Sequence, residues 1–523
     1  MNNMQKFILA LFLGLLVSGT VSGQKSTRKA SVKWGADRAV KKRASSRMLA
    51  HDDRGFFTVH YGKEILLECF DKELRMIQSV PFELKFEDKD LDYQFTIHSN
   101  DDLLIFSSFL NKKLKKDFLF YQSVNKRTLD LNSKLTKVSE IDFGTDNFSS
   151  SGEFSKLISR DKSKIGIQTT DRGKRKDMEL FKFQVFDDKM DLLWENEIEL
   201  PYTQELFNVE GVRLDNDGNI YVYGIEFKEK RVSKRRGEPN YKYHIISISE
   251  NGTIVDDIPV QIDAAFITDM RVEINDQHEI ICAGFYSDLG TYSNKGSFFL
   301  KLDQSTNEVL VQNQKEFGLD LIKQTMSSRQ QKITKRKGDK GKEIELEEYD
   351  LDRIVLREDG GAVLVAEEFY ITVSTSTTSE GRTTTTTHYN YNDILVVSIS
   401  PDGTIDWIQK IPKSQRSSND GGAYLSYSMA VHKDKLYFMF NDDANNLYYK
   451  GQGEPEPFRL NDGPFVMFVE LDSEGNQTRE SLYSFSSKDV YIRHDLGFQI
   501  SENEVILFGF KKKVHKLARV TLK

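Results

Sequence analysis

The chain has 523 residues, 29% charged and 38% hydrophobic, with a formal net charge of −7. A balance that mild excludes binding of nucleic acid or membranes through global charge. The 35 Phe and 21 Tyr point to a large, β-rich core, and two cysteines are too few for a disulfide framework.

The first segment reads as an export signal. Residues 7–17 form an apolar run, followed by the small-residue triplet Val21-Ser22-Gly23. The run is well short of the ~20 residues that a spanning helix needs. No other stretch is long and apolar enough to span. The expected mature chain is therefore exported, secreted or periplasmic, with cleavage after Gly23 and no transmembrane segment. Residues 24–47 read as a basic leader.

From Met48 onward one unit recurs, seen most cleanly as VRLDNDGNIYVYGIE and YHIISISENGTIVDDIPV between Val212 and Val260. Apolar segments flank Asp217-Gly218 and again Asn251-Gly252. Such pairs supply the positive φ angles of tight hairpins, so the unit is a four-strand meander with strands a, b, c and d. Eight c strands begin near Ile65, Phe118, Leu180, His244, Ser297, Ile394, Phe465 and Val514. The first strands of the fourth, fifth and sixth units are read from Val212, Met270 and Arg353. The last unit has three strands, LGFQIS, EVILFGF and VHKLARVTL, and a segment within 31–40 is positioned to supply the fourth. Cys69 and Cys282 fall in the first and fifth units and are expected to be buried thiols.

Repeated meanders of this kind resemble β-propellers. They lack the Gly-His and Trp-Asp pairing of WD40 repeats and the double Gly of kelch repeats. The resemblance implies an all-β fold: a single propeller over 48–523 with eight four-stranded blades, seven being the alternative. It also implies closure by the N-terminal strand joining the last blade. It implies a fold and no activity.

In such a meander the a–b and c–d turns emerge at one end of every sheet and the b–c and d–a loops at the other. The first set is short here. The long or biased segments (111–117, 171–178, 228–243, 318–350, 372–392, 413–423 and 443–464) all belong to the second set. That elaborated face is the candidate working face. Several of its loops are basic. Lys112, Lys113, Lys115 and Lys116 come from the second unit, and Arg172, Lys174, Arg175 and Lys176 from the third. The fourth adds Lys228, Lys230, Arg231, Lys234, Arg235 and Arg236. The segment after the fifth adds Lys332, Lys335, Arg336, Lys337, Lys340 and Lys342. Together they predict a cationic arc that would concentrate an anionic glycan, a surface polymer or an acidic protein. The competing reading is a set of solvated loops whose charge maintains solubility. The Thr-rich stretch 372–387 is expected to pair as an arm extending strands b and c of the sixth unit, with Tyr389 and Tyr391 packing at its base.

The motif search is negative. There is no Gly-x-Ser-x-Gly elbow, His-Glu-x-x-His, phosphate loop or paired-Cys motif. Asp215-Asn216-Asp217-Gly218-Asn219 resembles a calcium loop only superficially, because the downstream Glu and flanking helices are missing. No catalytic residue, metal or cofactor is expected. The reading favours a non-enzymatic binding scaffold. The alternatives are a hydrolase or lyase with carboxylates or His converging from several a strands, and a structural component of an envelope or secretion assembly.

Overall fold

The computed structural model describes residues 25–523, except 40–44, 62–63, 87, 100–101, 133, 143–151, 171–176, 230, 233, 236–237, 264–265, 292, 325, 327, 341–343, 348, 452, 461–464, 485–489 and 512. The export signal expected over 1–23 lies outside the described residues.

Among the described residues, eight antiparallel sheets contain four or more strands. In chain order they occupy 45–81, 92–142, 153–203, 207–260, 266–316, 349–411, 428–484 and 491–522, and each runs a, b, c, d across the sheet. The eighth draws its fourth strand from the other end of the chain. Ala30–Trp34 pairs antiparallel with Val514–Leu522, in the register Ala30↔Leu522 to Trp34↔Ala518.

Each of these sheets buries apolar side chains on both faces, chiefly from its b and c strands, and strand alternation explains how. In the sixth sheet Leu364 and Ala366 pack toward the fifth sheet, while Val363 and Val365 pack toward the seventh. In the first sheet Phe57 meets the second, and Phe56 meets Ile506 and Phe508 of the eighth. Each core cluster among the described residues lies between two sheets consecutive in this order, the eighth counting as neighbour of the first. Fully burying one such Val, Leu or Phe contributes about 1.5–3 kcal/mol. The a strands of neighbouring sheets approach one another, first to second, third to fourth to fifth to sixth, and seventh to eighth to first. They form the inner edge.

The short turns are also where one sheet clasps the next. Trp194, on the d strand of the third sheet, donates its Nε1–H to Gly218 O of the fourth at 3.1 Å. Trp407, on the d strand of the sixth, does the same to Ser473 O of the seventh at 2.8 Å. The turn glycine Gly403 has φ +82°, and a Cβ there would stand 2.5 Å from Val311 Cγ1 on the fifth sheet. Glycine is required at that position twice over, for backbone conformation and for close approach.

The Asp215 turn is a hairpin. Its Oδ1 accepts from Asp217 N and Asn219 N, and its Oδ2 from Asn219, Tyr221 and Gln304 side chains. No group of three or more metal-ligating side chains occurs among the described residues, and no helix among them is long and apolar enough to cross a membrane. Cys69 and Cys282 are buried and free, in the first and fifth sheets.

Gly403→Ala should destabilise the protein by about 1–3 kcal/mol, since the added methyl overpacks Val311. Denaturant unfolding measures it. An unchanged midpoint would mean that the clasp has slack.

Candidate functional site

The two ends of the sheets differ as expected. At one end the connections are turns. At the other stand the Thr-rich arm, the insertion between the fifth and sixth sheets, and the loops of the seventh. Strands Ala362–Thr377 and Thr383–Ile399 pair out to Thr377↔Thr383, and Gln415–Ser418 adds to the arm from His388 to Tyr391. At its base the rings of Phe369 and Tyr391 lie 4.6 Å apart. The insertion holds helices Leu319–Lys323 and Ser328–Gly338.

The candidate cations have different fates. Lys112 and Lys113 sit in the exposed turn after Asn111, whose side chain accepts from Lys113 N at 3.1 Å. Lys116 is paired with Glu140 and Asp142. Lys228 is exposed and donates to Pro239 O at 3.2 Å. Arg231 turns back onto its own sheet, donating to the carbonyls of Gln204, Glu205 and Phe207. It braces the loop as much as it charges it. Lys234 and Arg235 form a short ladder with Pro239 and Glu238. Their side chains, together with Arg172, Lys174, Arg175, Lys176, Lys230 and Arg236, lie outside the described residues. On helix Ser328–Gly338, Lys332, Lys335 and Arg336 are exposed, and the helix carries no acidic residue.

That helix walls a cleft of about 760 Å³ on the elaborated face, with Ile333 and Thr334 facing in. The floor comes from the sixth sheet and is polar and buried. Lys413 Nζ lies 2.6 Å from Glu367 Oε1 and donates to Tyr391 O at 2.9 Å and Gln415 Oε1 at 3.1 Å. Lys413 N donates to Asp393 Oδ1 at 3.1 Å. Tyr349 also lines the cleft, and its hydroxyl is buried with no hydrogen-bond partner among the described residues. Burial pushes that phenol well above its ordinary pKa.

Below the cleft, toward the inner edge, the a strands of the fourth, fifth and sixth sheets bring together Glu210, Asp269, Arg271, Asp350 and Asp352. Register irregularities at 209–211, 267–269 and 351–353 mark one-residue bulges in all three strands. A bulge re-aims a side chain, and Glu210 and Asp352 are themselves the extra residues. Arg271 lies 3.2 Å from Asp269 Oδ1, and Leu351 N donates to Asp269 Oδ2 at 2.8 Å. Tyr427 donates to Asp352 Oδ2 at 2.5 Å. Burial pushes Asp269 up to about 6 against the pull of Arg271. Asp352 is raised by burial, and Asp350 by burial and then by Asp352. Both reach water along the inner edge yet are surrounded by protein, and that surrounding mass disfavours their charge.

This cluster is absent from the sequence reading because three a strands were started too late. They begin at Phe207, Phe266 and Tyr349, not at Val212, Met270 and Arg353. The omitted residues carry the acids. The available signal was the recurrence of Asp-Met-Arg at 269–271 and Asp-Leu-Asp-Arg at 350–353.

No sequence-family model matches the chain, and no curated protein matches it. Its likenesses are to solved structures. The WD40 domain of SCAP from fission yeast is 9% identical, with coverage of 96% of this chain and 99% of that one and a TM-score of 0.28. The β-propeller domain of the Trilobed protease from Pyrococcus furiosus is 10% identical, with coverage of 89% and 96% and a TM-score of 0.32. The repeated four-stranded antiparallel sheets of this chain are those of a β-propeller fold. The polysaccharide lyase Uly1 is 8% identical, with coverage of 84% and 94% and a TM-score of 0.36. None of these likenesses assigns the chain a function.

Beside the site, His494 and Asp442 are buried with opposite pH signatures. His494 Nε2 accepts from Asn441 N at 3.0 Å, and burial holds its pKa down to about 3. Its stabilising contribution is complete above ~6.5, the unfolded value, and is lost as pH falls toward 3. Burial raises Asp442 to about 7. Its contribution is complete below ~3.9 and is lost as pH rises through 7. In melting curves across pH 4–8, His494→Gln should lessen the acid loss and Asp442→Asn the loss on the neutral side. Parallel profiles for both variants and the parent would overturn these assignments.

Proposed function

We propose that this chain is an exported binding scaffold, a single ring of eight blades closed by Ala30–Trp34, whose elaborated face takes an anionic glycan, surface polymer or acidic protein. The observation that carries the ligand reading is the cleft wall. A helix bearing exposed Lys332, Lys335 and Arg336 and no acid borders the 760 Å³ cleft, at the same end as the loops of Lys112, Lys113 and Lys228. Those three cations stand beside the cleft and not in its lining, where Lys410, Lys413 and Arg416 alternate with Glu345, Glu368, Asp393 and Glu454, so their field acts on the approach of an anion. The cationic arc expected from the sequence adds Arg231 and, outside the described side chains, Arg172, Lys174, Arg175, Lys230, Lys234, Arg235 and Arg236.

The ring reading is supported by the pairing of Ala30–Trp34 with Val514–Leu522 and by the core cluster joining the eighth sheet to the first. Deleting residues 30–39 exposes the c-strand edge of the eighth sheet and uncovers the apolar cluster beneath Trp34. The truncated protein should melt at a markedly lower temperature and aggregate. A truncated protein with parental melting temperature and solubility would place closure elsewhere.

Binding is tested on an array of anionic and neutral polysaccharides. The parent should bind the anionic members, and affinity should fall steeply with salt, because exposed charges are screened beyond ~8 Å at physiological ionic strength. Replacing Lys234, Arg235 and Arg236 with Ser, or Lys332, Lys335 and Arg336 with Ser, should weaken binding at least tenfold. Folding should barely change, since exposed charges contribute little to it. Salt-insensitive binding, or equal binding by all three proteins, would remove the cations from the account.

A second reading, a hydrolase or lyase with an axial site, is favoured by the convergence of Asp269, Asp350 and Asp352 beside Arg271. A carboxyl raised to about 6 can serve as a general acid near neutral pH. Shortening of a polysaccharide by the parent, lost in Asp269→Asn and Asp352→Asn with binding retained, would establish it. No shortening of any array member would leave the binding reading alone.

A further inference from the structure

A second cavity, of about 490 Å³, lies far from the cleft, between the eighth sheet and the first. It exists because the N-terminal strand is irregular there. Trp34 faces Ala518 and Arg38 faces His515, so four steps along one strand span three along the other. Gly35 and Ala36 fall in that bulge and bring no bulk, and Gly35 N is tied to Leu517 O at 2.9 Å. The space beside them is walled by Trp34, Phe70, Leu74, Phe508, Phe510 and Leu517.

Among the polar residues that also line this space, Glu68 and His515 each carry an unpartnered buried atom. Glu68 is fully buried. Its Oε2 takes both of its hydrogen bonds, from Arg38 Nη1 at 2.5 Å and from Thr58 Oγ1 at 3.2 Å. Its Oε1 is buried and has no partner among the described residues. His515, also buried, packs its ring 4.1 Å from that of Phe510, and its Nδ1 is likewise buried and unpartnered. Burial, with His60 and Arg38 nearby, lowers its pKa to about 4, so the ring is neutral at pH 7. A buried carboxylate oxygen left without a hydrogen bond is costly. Two unpartnered atoms in one cavity ask for a ligand that both gives and takes a hydrogen bond.

We propose that this cavity is a binding site for a small hydroxylated aromatic molecule. Its ring lies among Phe70, Phe508 and Phe510. Its hydroxyl donates to Glu68 Oε1 and accepts from the Nδ1–H tautomer of His515. The volume lies within the range of sites for small ligands. The entrance is polar, with half-exposed Asp37 and Glu73 and a largely exposed Arg75 side chain. A neutral molecule passes such a rim readily, whereas an anion would have to lie against the buried Glu68 carboxylate. The ligand is therefore of a different class from the anionic partner of the cleft.

The test uses the full mature chain and two probes of equal ring size, 1-naphthol and naphthalene, by equilibrium dialysis with melting temperature as a second readout. 1-Naphthol should bind one to one, at least tenfold more tightly than naphthalene, and raise the melting temperature by mass action. His515→Phe keeps a ring against Phe510 and should erase that preference. Met76 lines the rim and is 44% exposed, so Met76→Trp should fold normally while obstructing the cavity and losing 1-naphthol. Equal affinity for the two probes, no binding of either at its solubility limit, or 1-naphthol binding retained by Met76→Trp would each overturn the proposal. A cavity that holds only water binds neither probe.

Discussion

Every sheet here has two apolar faces, and that constraint organises the molecule. An isolated four-stranded meander with Val363 and Val365 on one side and Leu364 and Ala366 on the other cannot be half-solvated. It needs a neighbour on each face, and so does each neighbour. A stack with ends would leave two faces bare; a ring leaves none. The cluster of Phe56, Phe70, Ile506 and Phe508 meets that requirement between the last sheet and the first. Strand polarity follows. With the a strands side by side and each sheet running a, b, c, d, most tight turns gather at one end and the longest connections at the other.

Packing tolerances then separate the two ends. The turn end is crowded because each d strand leans on the next sheet. Trp194 and Trp407 lie across the following turns, and Gly403 meets Val311 with no room for a methyl. Insertions there would break contacts between sheets. The opposite end is fastened as well, by Tyr241 donating to Ile267 O and Gln415 to Asn441 O, and it carries in addition a helical insertion, a long arm and a cleft.

Much of this was legible in the residues, for a physical reason. The b and c strands are buried on both sides, so they read as unbroken apolar runs bounded by Asp-Gly or Asn-Gly, and all eight c strands are found where those runs predict. The a strands lie at the inner edge beside water. Their first halves alternate apolar and charged residues and contain bulges, so Glu210, Asp269 and Asp352 look like loop. Arg231 reads as one more loop cation, yet three carbonyls hold it. No local pattern reports such a contact. The cavity beside Gly35 depends on a register mismatch between strands almost 500 positions apart, and short-range reading cannot reach that far.

The buried polar groups beneath the cleft carry the remaining argument. Lys413 and Glu367 are both almost fully removed from water, and such a pair holds only when each remaining donor and acceptor is served. Here Tyr391 O, Gln415 and Ser426 serve them. Removing one partner would strand a charge, so the floor has one arrangement and no cheap alternative. A floor held that way is rigid, and its own charges already face one another. One unserved group there is the buried hydroxyl of Tyr349, which has no partner among the described residues. The exposed cations Lys332, Lys335 and Arg336 stand on the inserted helix, outside the repeat, whereas the buried pair belongs to the repeat itself.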